Sequence, residues 1–298
     1  MKIVPNTFVI GVQKAATTSV YDWISQHPQT CGPLSLKDHP IFLPEQREID
    51  DEAMYEEYMR VGYQESIDVV LQGWVQYIFY PESLTEIKKK CPEAKLILIL
   101  RNPIDRAISA HSFLAKIKKE PLTLAAAIDA ESERATLGPE EKNNFTYISH
   151  GLYAQQIKTL FKIFDPKNVL IVLYEDVNDS PQQVIKNIYR FLNIDPDFNP
   201  QFVVRNTTGT VRFHWVQNFL FAPNKFRNFL VKNLIGKVLS QPLRNRLRLI
   251  LRELNTSNKS APMSQNGEID RSGLAVYFEH DVKELESIIN RSLAHWLE

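Results

Sequence analysis

Short, continuous apolar runs alternate along the chain with segments whose apolar residues recur at helical spacing. The runs at 7–12, 95–100 and 168–174 predict buried strands, and a weaker run predicts a strand at 68–71. Helical spacing predicts helices at 19–24, 105–116, 152–164 and 182–192, and a last helix at 270–296. Buried strands that alternate with amphipathic helices favour an α/β fold, with a central, mostly parallel sheet flanked by helices.

Two basic side chains follow predicted strands directly. Lys14 comes after the first strand and Arg101 after the strand at 95–100. In open parallel sheets, ligands bind beyond the carboxyl ends of the strands. Both side chains are therefore expected at the rim of the sheet where a ligand would lie.

Charge is unevenly distributed along the chain. The 298 residues carry 35 basic and 35 acidic side chains, and this balance argues against a nucleic-acid partner. The stretch 212–252 nevertheless contains nine Lys or Arg and no Asp or Glu. We interpret 1–298 as a single domain with a basic, helical, lid-like insertion at about 212–255. Three alternatives stay open for this stretch: core-facing helices with a basic outer side, a lid over an acceptor, or contact with an anionic membrane.

Two cysteines, Cys31 and Cys91, are too few for a disulfide framework, and neither has metal-ligand spacing. They predict free thiols in a reducing cytoplasm. No apolar segment is long enough for a signal peptide or a membrane-spanning helix, and membrane contact is not expected. A segment rich in Asn, Ser and Gly at 255–267 predicts a loop.

The first segment with chemical character joins the first strand to the first helix, at 11–19. Helix N-termini present unpaired N–H groups and partial positive charge, which suit a phosphate. Three hydroxyl residues and Lys14 add further donors, but the Lys precedes the hydroxyls by three residues, unlike a Walker A loop. The alternative is an ordinary strand–helix turn capped by Thr.

The second segment, at 101–109, follows the strand at 95–100. Arg101 ends that strand, and Ser109 lies eight residues later on the next helix. An Arg fork and a Ser hydroxyl that converge on one point suit a phosphate dianion. Arg106, between them, is expected to be solvated or ion-paired on the helix surface.

Together the two segments resemble the PAPS-dependent sulfotransferases, where PAPS is 3'-phosphoadenosine 5'-phosphosulfate. Gly-x-x-Lys-x-x-Thr-Thr at 11–18 is similar to the family's 5'-phosphosulfate loop, and 100–113 is similar to its 3'-phosphate motif. Further similarity runs through 151–153, 172–176 and 263–296, and the bacterial and glycan-type members are the most similar. The resemblance implies a P-loop-like fold, and PAPS as the donor of a sulfuryl group to a hydroxyl or amine.

The resemblance also implies a set of donor-binding residues and one departure from the family pattern. Ala16 stands where the family usually has Gly, and because alanine reaches positive φ only at a cost, we expect Ala16 in a helical or extended conformation. The implied donor contacts are Lys14, Ala15, Ala16, Thr17, Thr18, Ser19, Arg101, Ser109 and Tyr153.

The acceptor side departs further from the family. Relatives often carry a Glu-Lys pair where this chain has 72–77, an uncharged stretch, so we expect a different acceptor, preferably a small or amphiphilic metabolite, with a saccharide as the alternative. Natural-product sulfation would fit such an acceptor. The implied acceptor contacts are Gln72, Trp74, Tyr77 and His111.

The segment 36–42 is expected to supply the general base. Asp38 aligns with the family's Glu and is preferred, and His39 is the alternative because an ordinary imidazole titrates near neutrality. The base takes the acceptor's proton during direct in-line transfer, Lys14 stabilises the bridging oxygen and Lys37 the sulfuryl oxygens. The product is adenosine 3',5'-bisphosphate (PAP), and no metal is expected. The oligomeric state is not determined by the sequence, which is compatible with a homo-oligomer.

Two other classes remain as alternatives. A P-loop kinase or nucleoside triphosphatase shares the strand–loop–helix, but should carry Gly-Lys-Ser/Thr and a metal-holding Asp after a strand. A non-catalytic nucleotide-binding protein of the same fold would have no need of Lys14, Lys37 and Arg101 together.

Overall fold

The computed structural model describes residues 3–39, 41–43, 51–202, 209–211, 256–260 and 270–298, and these residues contain a five-stranded parallel sheet. All four pairings within this sheet are parallel. The architecture confirms the predicted α/β fold. The strands are β1 (Thr7–Gly11), β2 (Thr30–Cys31), β3 (Val69–Gly73), β4 (Lys95–Leu100) and β5 (Val169–Leu173).

The strand order is β2-β3-β1-β4-β5, so β1 lies in the middle with β3 and β4 on either side. Because the strands are parallel, the carboxyl ends of β3, β1, β4 and β5 meet at one edge of the sheet. The four predicted strands are confirmed. The two-residue strand β2 was not predicted, since two residues are too few to produce a recognisable apolar run.

Helices follow most strands, and the predicted helices at 19–24, 105–116, 152–164 and 182–192 are all confirmed. The prediction of one helix over 270–296 was wrong at its end. The helix ends at Ile289, where Asn290 adopts the left-handed conformation (φ 52°) common at helix ends, and a separate 3₁₀ turn follows at Ala294–Trp296. The α-helices among the described residues are α1 (Thr17–Ser25), α2 (Asp51–Arg60), α3 (Pro81–Lys90), α4 (Pro103–Lys116), α5 (Leu124–Asp129), α6 (Glu131–Arg134), α7 (Pro139–Asn144), α8 (Tyr153–Ile163), α9 (Tyr174–Asp179), α10 (Pro181–Leu192) and α11 (Arg271–Ile289).

The core lies on both faces of the sheet, since every residue of β1 and β3 and nearly every residue of β4 is buried. At the carboxyl end of β1 the packing requires glycine. A Cβ on Gly11 would lie 2.8 Å from Cγ2 of Ile78 and 2.9 Å from Cδ1 of Leu98. Because Gly11 has no Cβ, the backbone at the end of β1 can pack closely against the side chains of Ile78 and Leu98.

The chain forms two compact units. The first comprises Met1–Ser112, Leu122–Arg205 and Glu268–Glu298 and contains the parallel sheet. The second comprises Phe113–Pro121 and Asn206–Gly267 and contains the antiparallel pair β6 (Gly209–Val211) and β7 (Thr256–Ser260). The loop predicted at 255–267 is therefore wrong for 256–260, because the pairing with β6 outweighs a composition typical of loops. The lid-like insertion predicted at 212–255 lies outside the described residues and stays a prediction.

Both cysteines are free and buried. Burial raises the pKa of the Cys31 thiol and of the Cys91 thiol to about 11, so both stay protonated at neutral pH.

In the part of the chain that the structure describes, no helix is long and apolar enough to cross a membrane.

Candidate functional site

The loop after β1 turns sharply into α1. Lys14 (φ 71°) and Ala16 (φ 57°, ψ 17°) both adopt the left-handed conformation. The expectation of a helical or extended Ala16 was therefore wrong. The reason is the short connection: the Ala16 carbonyl already accepts hydrogen bonds from the N–H groups of Ser19 (3.0 Å) and Val20 (3.1 Å), and these bonds begin the helix.

The N-terminus of α1 carries no side-chain cap, because its capping position is an alanine. The N–H groups of the first turn therefore lack the side-chain acceptor that Ser, Thr or Asp would supply at this position. The aligned peptide dipoles add partial positive charge at the same end. Since β1 ends at the ligand-binding edge of the sheet, this N-terminus suits an anion.

The left-handed Ala16 leads to a stability prediction. We expect Ala16→Gly to raise the free energy of unfolding by about 0.5–1 kcal/mol, because glycine removes the steric cost of positive φ but loses more entropy on folding. Urea denaturation with an unchanged m-value would measure the gain.

Ala15→Gly is the matched control for this prediction. Ala15 is adjacent and fully buried but is not among the residues with positive φ, so glycine there should lower the free energy of unfolding. Equal destabilisation by the two substitutions would contradict the assignment of strain to Ala16.

Arg101 links the two segments that the sequence singled out. Its Nη1 donates to the carbonyl oxygen of Lys14 (2.9 Å), and its guanidinium lies 4.5 Å from the centroid of the Tyr174 ring. Its Nε is buried and has no hydrogen-bond partner within the described ranges. The loop after β1 and the end of β4 therefore form one continuous site.

Tyr153 supports Arg101 from behind. Its hydroxyl donates to the Arg101 carbonyl oxygen (2.9 Å), and the side chain is buried. Burial raises the pKa of Tyr153 above its ordinary value, so the phenol stays protonated and remains a donor. Tyr153 was predicted to contact PAPS, and in the structure its hydroxyl is hydrogen-bonded to the backbone of Arg101.

Ser109 and Arg106 lie on α4, after Arg101. Ser109 is partly exposed, and its predicted contact with a phosphate stays a prediction. The expectation that Arg106 is solvated or ion-paired on the surface was wrong: the side chain is fully buried, and its Nη2 donates to the carbonyl of Tyr147. Burial lowers the pKa of Arg106. The side chain faces inward because α4 packs this side against the segment containing Tyr147.

The predicted base segment lies at the carboxyl end of β3. The backbone N–H of Asp38 donates to the carbonyl of Gly73 (2.7 Å), and Asp38 has a positive φ of 63°. Nζ of Lys37 lies 2.6 Å from Oδ2 of Asp38. The Lys37 side chain is 4% exposed and that of Asp38 is 51% exposed. The pair therefore combines a buried ammonium group with an accessible carboxylate.

His39 and Gln72 meet beside this pair. The His39 residue is exposed, and its carbonyl accepts a hydrogen bond from Nε2 of Gln72 (2.8 Å). Gln72 itself is fully buried, and its Oε1 has no hydrogen-bond partner among the described residues. The predicted acceptor residue Gln72 therefore supports the backbone that carries both candidate bases.

Trp74 and Tyr77 form a buried aromatic cluster after β3. The Trp74 ring lies edge-to-face with Tyr77 (5.2 Å between centroids) and stacks on Tyr80 (5.4 Å). The Tyr77 hydroxyl accepts a hydrogen bond from the Ile41 N–H (3.0 Å), which ties the cluster to the chain just after the candidate bases. An acceptor contact by either ring stays a prediction.

His111 lies apart from these acceptor candidates. Its buried ring hydrogen-bonds through Nε2 to the carbonyl of Leu122 (2.9 Å) and packs edge-to-face on Tyr147 (5.6 Å). No hydrogen bond or ring contact within the described residues joins it to Gln72, Trp74 or Tyr77. Its predicted acceptor role stays a prediction.

The comparison with known families gives one decisive match. A model of the sulfotransferase domain matches residues 5–220, more than half of the chain. The chain belongs to the sulfotransferase family. A solved sulfotransferase from Alicyclobacillus acidocaldarius is 25% identical, with a TM-score of 0.67 over 99% of this chain and 100% of that one. The match confirms the predicted class of enzyme, a sulfotransferase.

Curated sulfotransferase relatives match in part of their length. The human bifunctional heparan sulfate N-deacetylase/N-sulfotransferase 3 is 25% identical over 65% of this chain, and human heparan sulfate glucosamine 3-O-sulfotransferase 6 is 26% identical over 64%. The alignments cover only 23% and 52% of these two relatives. The chain therefore corresponds to a part of each.

Two supports of the sulfotransferase site were not predicted. Tyr174, under the Arg101 guanidinium, follows β5 directly, and its position after a buried strand was a signal that could have found it. Asp281 on α11 accepts a hydrogen bond from the Tyr153 N–H (2.7 Å), and nothing in the helical pattern around it distinguishes it.

Across the described ranges, no group of three or more His, Cys, Asp or Glu side chains is arranged to hold a metal ion. The expectation of a metal-free reaction stays a prediction.

Proposed function

We propose that this sulfotransferase moves the sulfuryl group of PAPS to a hydroxyl or amine of a small or amphiphilic metabolite and releases PAP. The observation that carries the proposal is the 2.9 Å hydrogen bond from Arg101 to the Lys14 carbonyl. This bond joins the two predicted phosphate-binding segments, which follow the adjacent strands β1 and β4. A nucleotide with a 5'-phosphosulfate and a 3'-phosphate needs both segments in one site.

Donors at both segments support a bisphosphorylated ligand. The uncapped N-terminus of α1 and the Lys14 side chain would hold the 5'-phosphosulfate. The buried, unpartnered Nε of Arg101 is a donor that a phosphate oxygen would satisfy, and Ser109 would add a hydroxyl to the 3'-phosphate. A nucleotide without the 3'-phosphate would leave that Nε unpaired.

The proposed transfer is a direct displacement at sulfur. The acceptor oxygen or nitrogen forms a bond to sulfur while the bond between sulfur and the bridging phosphate oxygen breaks. The acceptor's proton passes to the base, and PAP leaves with the negative charge of the bridging oxygen. Lys14 would stabilise that charge, and the buried Lys37 would stabilise the sulfuryl oxygens.

We assign the base to Asp38, with His39 as the alternative. The exposed carboxylate of Asp38 lies on a backbone fixed at the end of β3, and its contact with Lys37 orients it toward the group that would bind the sulfuryl oxygens. We expect Asp38→Asn to lower kcat by about 10²–10⁴-fold, the usual contribution of a general base. Single-turnover transfer from PAPS would measure the change.

His39→Ala is the matched substitution for this assignment. It leaves the hydrogen bond from Gln72 intact, because that bond ends on the His39 carbonyl. Full activity of Asp38→Asn together with loss of activity in His39→Ala would move the base to His39.

The proposed acceptor class rests on the uncharged sequence of Gln72–Tyr77. A polyanionic glycan calls for basic side chains, whereas Gln72, Trp74 and Tyr77 offer an amide, an indole and a phenol. A glycan acceptor is the second candidate, favoured by the matches to two heparan sulfate enzymes.

An assay with ³⁵S-labelled PAPS against phenols, alkyl alcohols, amines and heparan-type oligosaccharides tests both. We expect label on a small amphiphilic alcohol or phenol. If only the oligosaccharides are labelled, the acceptor is a glycan and the proposal of a small metabolite is wrong. Tight PAP binding without transfer to any acceptor would favour the non-catalytic alternative.

We also assign the protein to a reducing compartment, the cytoplasm of a bacterium. The two free, buried thiols support the reducing compartment.

A further inference from the structure

The C-terminal segment 270–298 lies outside the residues that the family model matches, 5–220. It nevertheless makes contacts on both sides of Arg101. Its partners are Asn102, Tyr153 and the helix α9, which begins at Tyr174.

The first contact is a helix cap supplied from another helix. The N-terminus of α8 has no side-chain cap of its own. The buried carboxylate of Asp281, on α11, accepts hydrogen bonds from the N–H groups of Tyr153 (2.7 Å) and Ala154 (3.1 Å). A carboxylate at this end of a helix is also favoured by the helix dipole. Asp281 therefore fixes where α8 begins.

Tyr153 transmits this position to the site. It is the first residue of α8, and its hydroxyl donates to the Arg101 carbonyl (2.9 Å). The line Asp281–Tyr153–Arg101 thus consists of two hydrogen bonds, of 2.7 and 2.9 Å. A shift of α8 would be passed to the backbone of Arg101.

The end of the segment holds the other side of Arg101. The Asn102 Nδ2 donates to the carbonyl of Trp296 (2.9 Å), and the Trp296 indole donates to Oε1 of Glu175 (2.7 Å). Next to it, Arg291 binds both carboxylate oxygens of Asp176 (2.5 and 2.7 Å). Glu175 and Asp176 directly follow the tyrosine under the Arg101 guanidinium.

We infer that Asp281 is a positioning residue for recognition of the donor's 3'-phosphate, acting through Tyr153 on Arg101. The inference rests on the proposed function, in which Arg101 binds that phosphate. Asp281 itself would touch no part of the donor. Its effect is to hold the Arg101 fork where a 3'-phosphate oxygen would meet it.

The experiment compares the affinities of PAP and AMP by isothermal titration calorimetry in wild type, Asp281→Asn, Tyr153→Phe and the double variant. AMP lacks the 3'-phosphate, so its affinity reports the rest of the site. We expect each single variant to lower PAP affinity by up to about tenfold, the loss of one hydrogen bond, with AMP affinity unchanged. The double variant should lose little more than either single variant, because both act along one line.

Glu284→Gln is the matched control. Glu284 is also on α11 and pairs with Lys158 of α8, away from the N-terminus of that helix. Its substitution should leave the ratio of PAP to AMP affinity at the wild-type value. Tyr153→Phe keeps the buried ring, so it tests the line even if Asp281→Asn does not fold.

The outcomes separate this inference from the proposed function. A folded Tyr153→Phe or Asp281→Asn variant that binds PAP as tightly as wild type overturns the positioning role. Equal losses of PAP and AMP affinity overturn it as well, because a merely structural role would not act on the 3'-phosphate alone. A wild-type protein that binds PAP no better than AMP overturns the proposed function, and the inference with it.

Discussion

Lys14→Met is expected to lower kcat for sulfuryl transfer by about 10²–10³-fold, the usual cost of removing one group that stabilises charge in a transition state. Methionine keeps most of the length of the side chain and removes the ammonium group, with its charge and its N–H donors. Lys14 lies in the turn between β1 and α1, beside the uncapped N-terminus of that helix, where the bridging oxygen of the donor would develop charge. Single-turnover measurements at saturating PAPS would isolate the chemical step.

Lys118→Met is the matched control for this substitution. Lys118 is another lysine with positive φ (58°), and it is exposed. The two substitutions carry a similar backbone cost, so a loss of turnover confined to Lys14→Met would come from the missing charge at the site. Equal turnover in both variants would exclude Lys14 from catalysis.

Arg101→Ala is expected to lower PAP affinity by about 10²-fold or more, since charged hydrogen bonds contribute about 1.5–3 kcal/mol each. Its effect on AMP affinity should be small. The alanine variant should therefore bind the two nucleotides about equally. Arg101 carries this role because its guanidinium is held between the Lys14 carbonyl and the Tyr174 ring, with Nε left for a ligand.

Two further variants control this measurement. Arg101→Lys should restore only part of the PAP affinity, because a point charge does not replace a planar fork of donors. Arg60→Ala removes an exposed arginine on α2 that pairs with Glu57, and it should leave both affinities unchanged. If Arg101→Ala binds PAP as tightly as wild type, Arg101 does not bind the 3'-phosphate, and the proposal of PAPS as the sulfuryl donor loses its support.

The sheet and the ends of its strands were predictable because they depend on local pattern. The strands β1, β4 and β5 each contain an uninterrupted apolar run, as expected for strands of a buried parallel sheet. Lys14 and Arg101 follow two of these runs, so the general rule for parallel sheets predicts their common edge. What the rule leaves open is whether the two meet, and the hydrogen bond from Arg101 to the Lys14 carbonyl joins them.

The backbone of Ala16 and the burial of Arg106 were predicted wrongly for related reasons. Residue preference disfavours positive φ for alanine, but the short turn into α1 and the packing around it impose that conformation. Charge favours solvent for arginine, but α4 turns Arg106 inward, where the Tyr147 carbonyl accepts one of its hydrogen bonds. In both cases the surrounding structure outweighed the preference of the single residue.

By itself the sequence determined the α/β class, the strands that carry the site and the side chains at their ends, because each follows from residues close together in the chain. Only the tertiary structure decided how these side chains are supported. Asp281 lies 128 residues from Tyr153, and Trp296 lies 194 residues from Asn102. Hydrogen bonds between such distant residues form only when α8 and the C-terminal segment are packed on the completed sheet, and no spacing in the sequence records them.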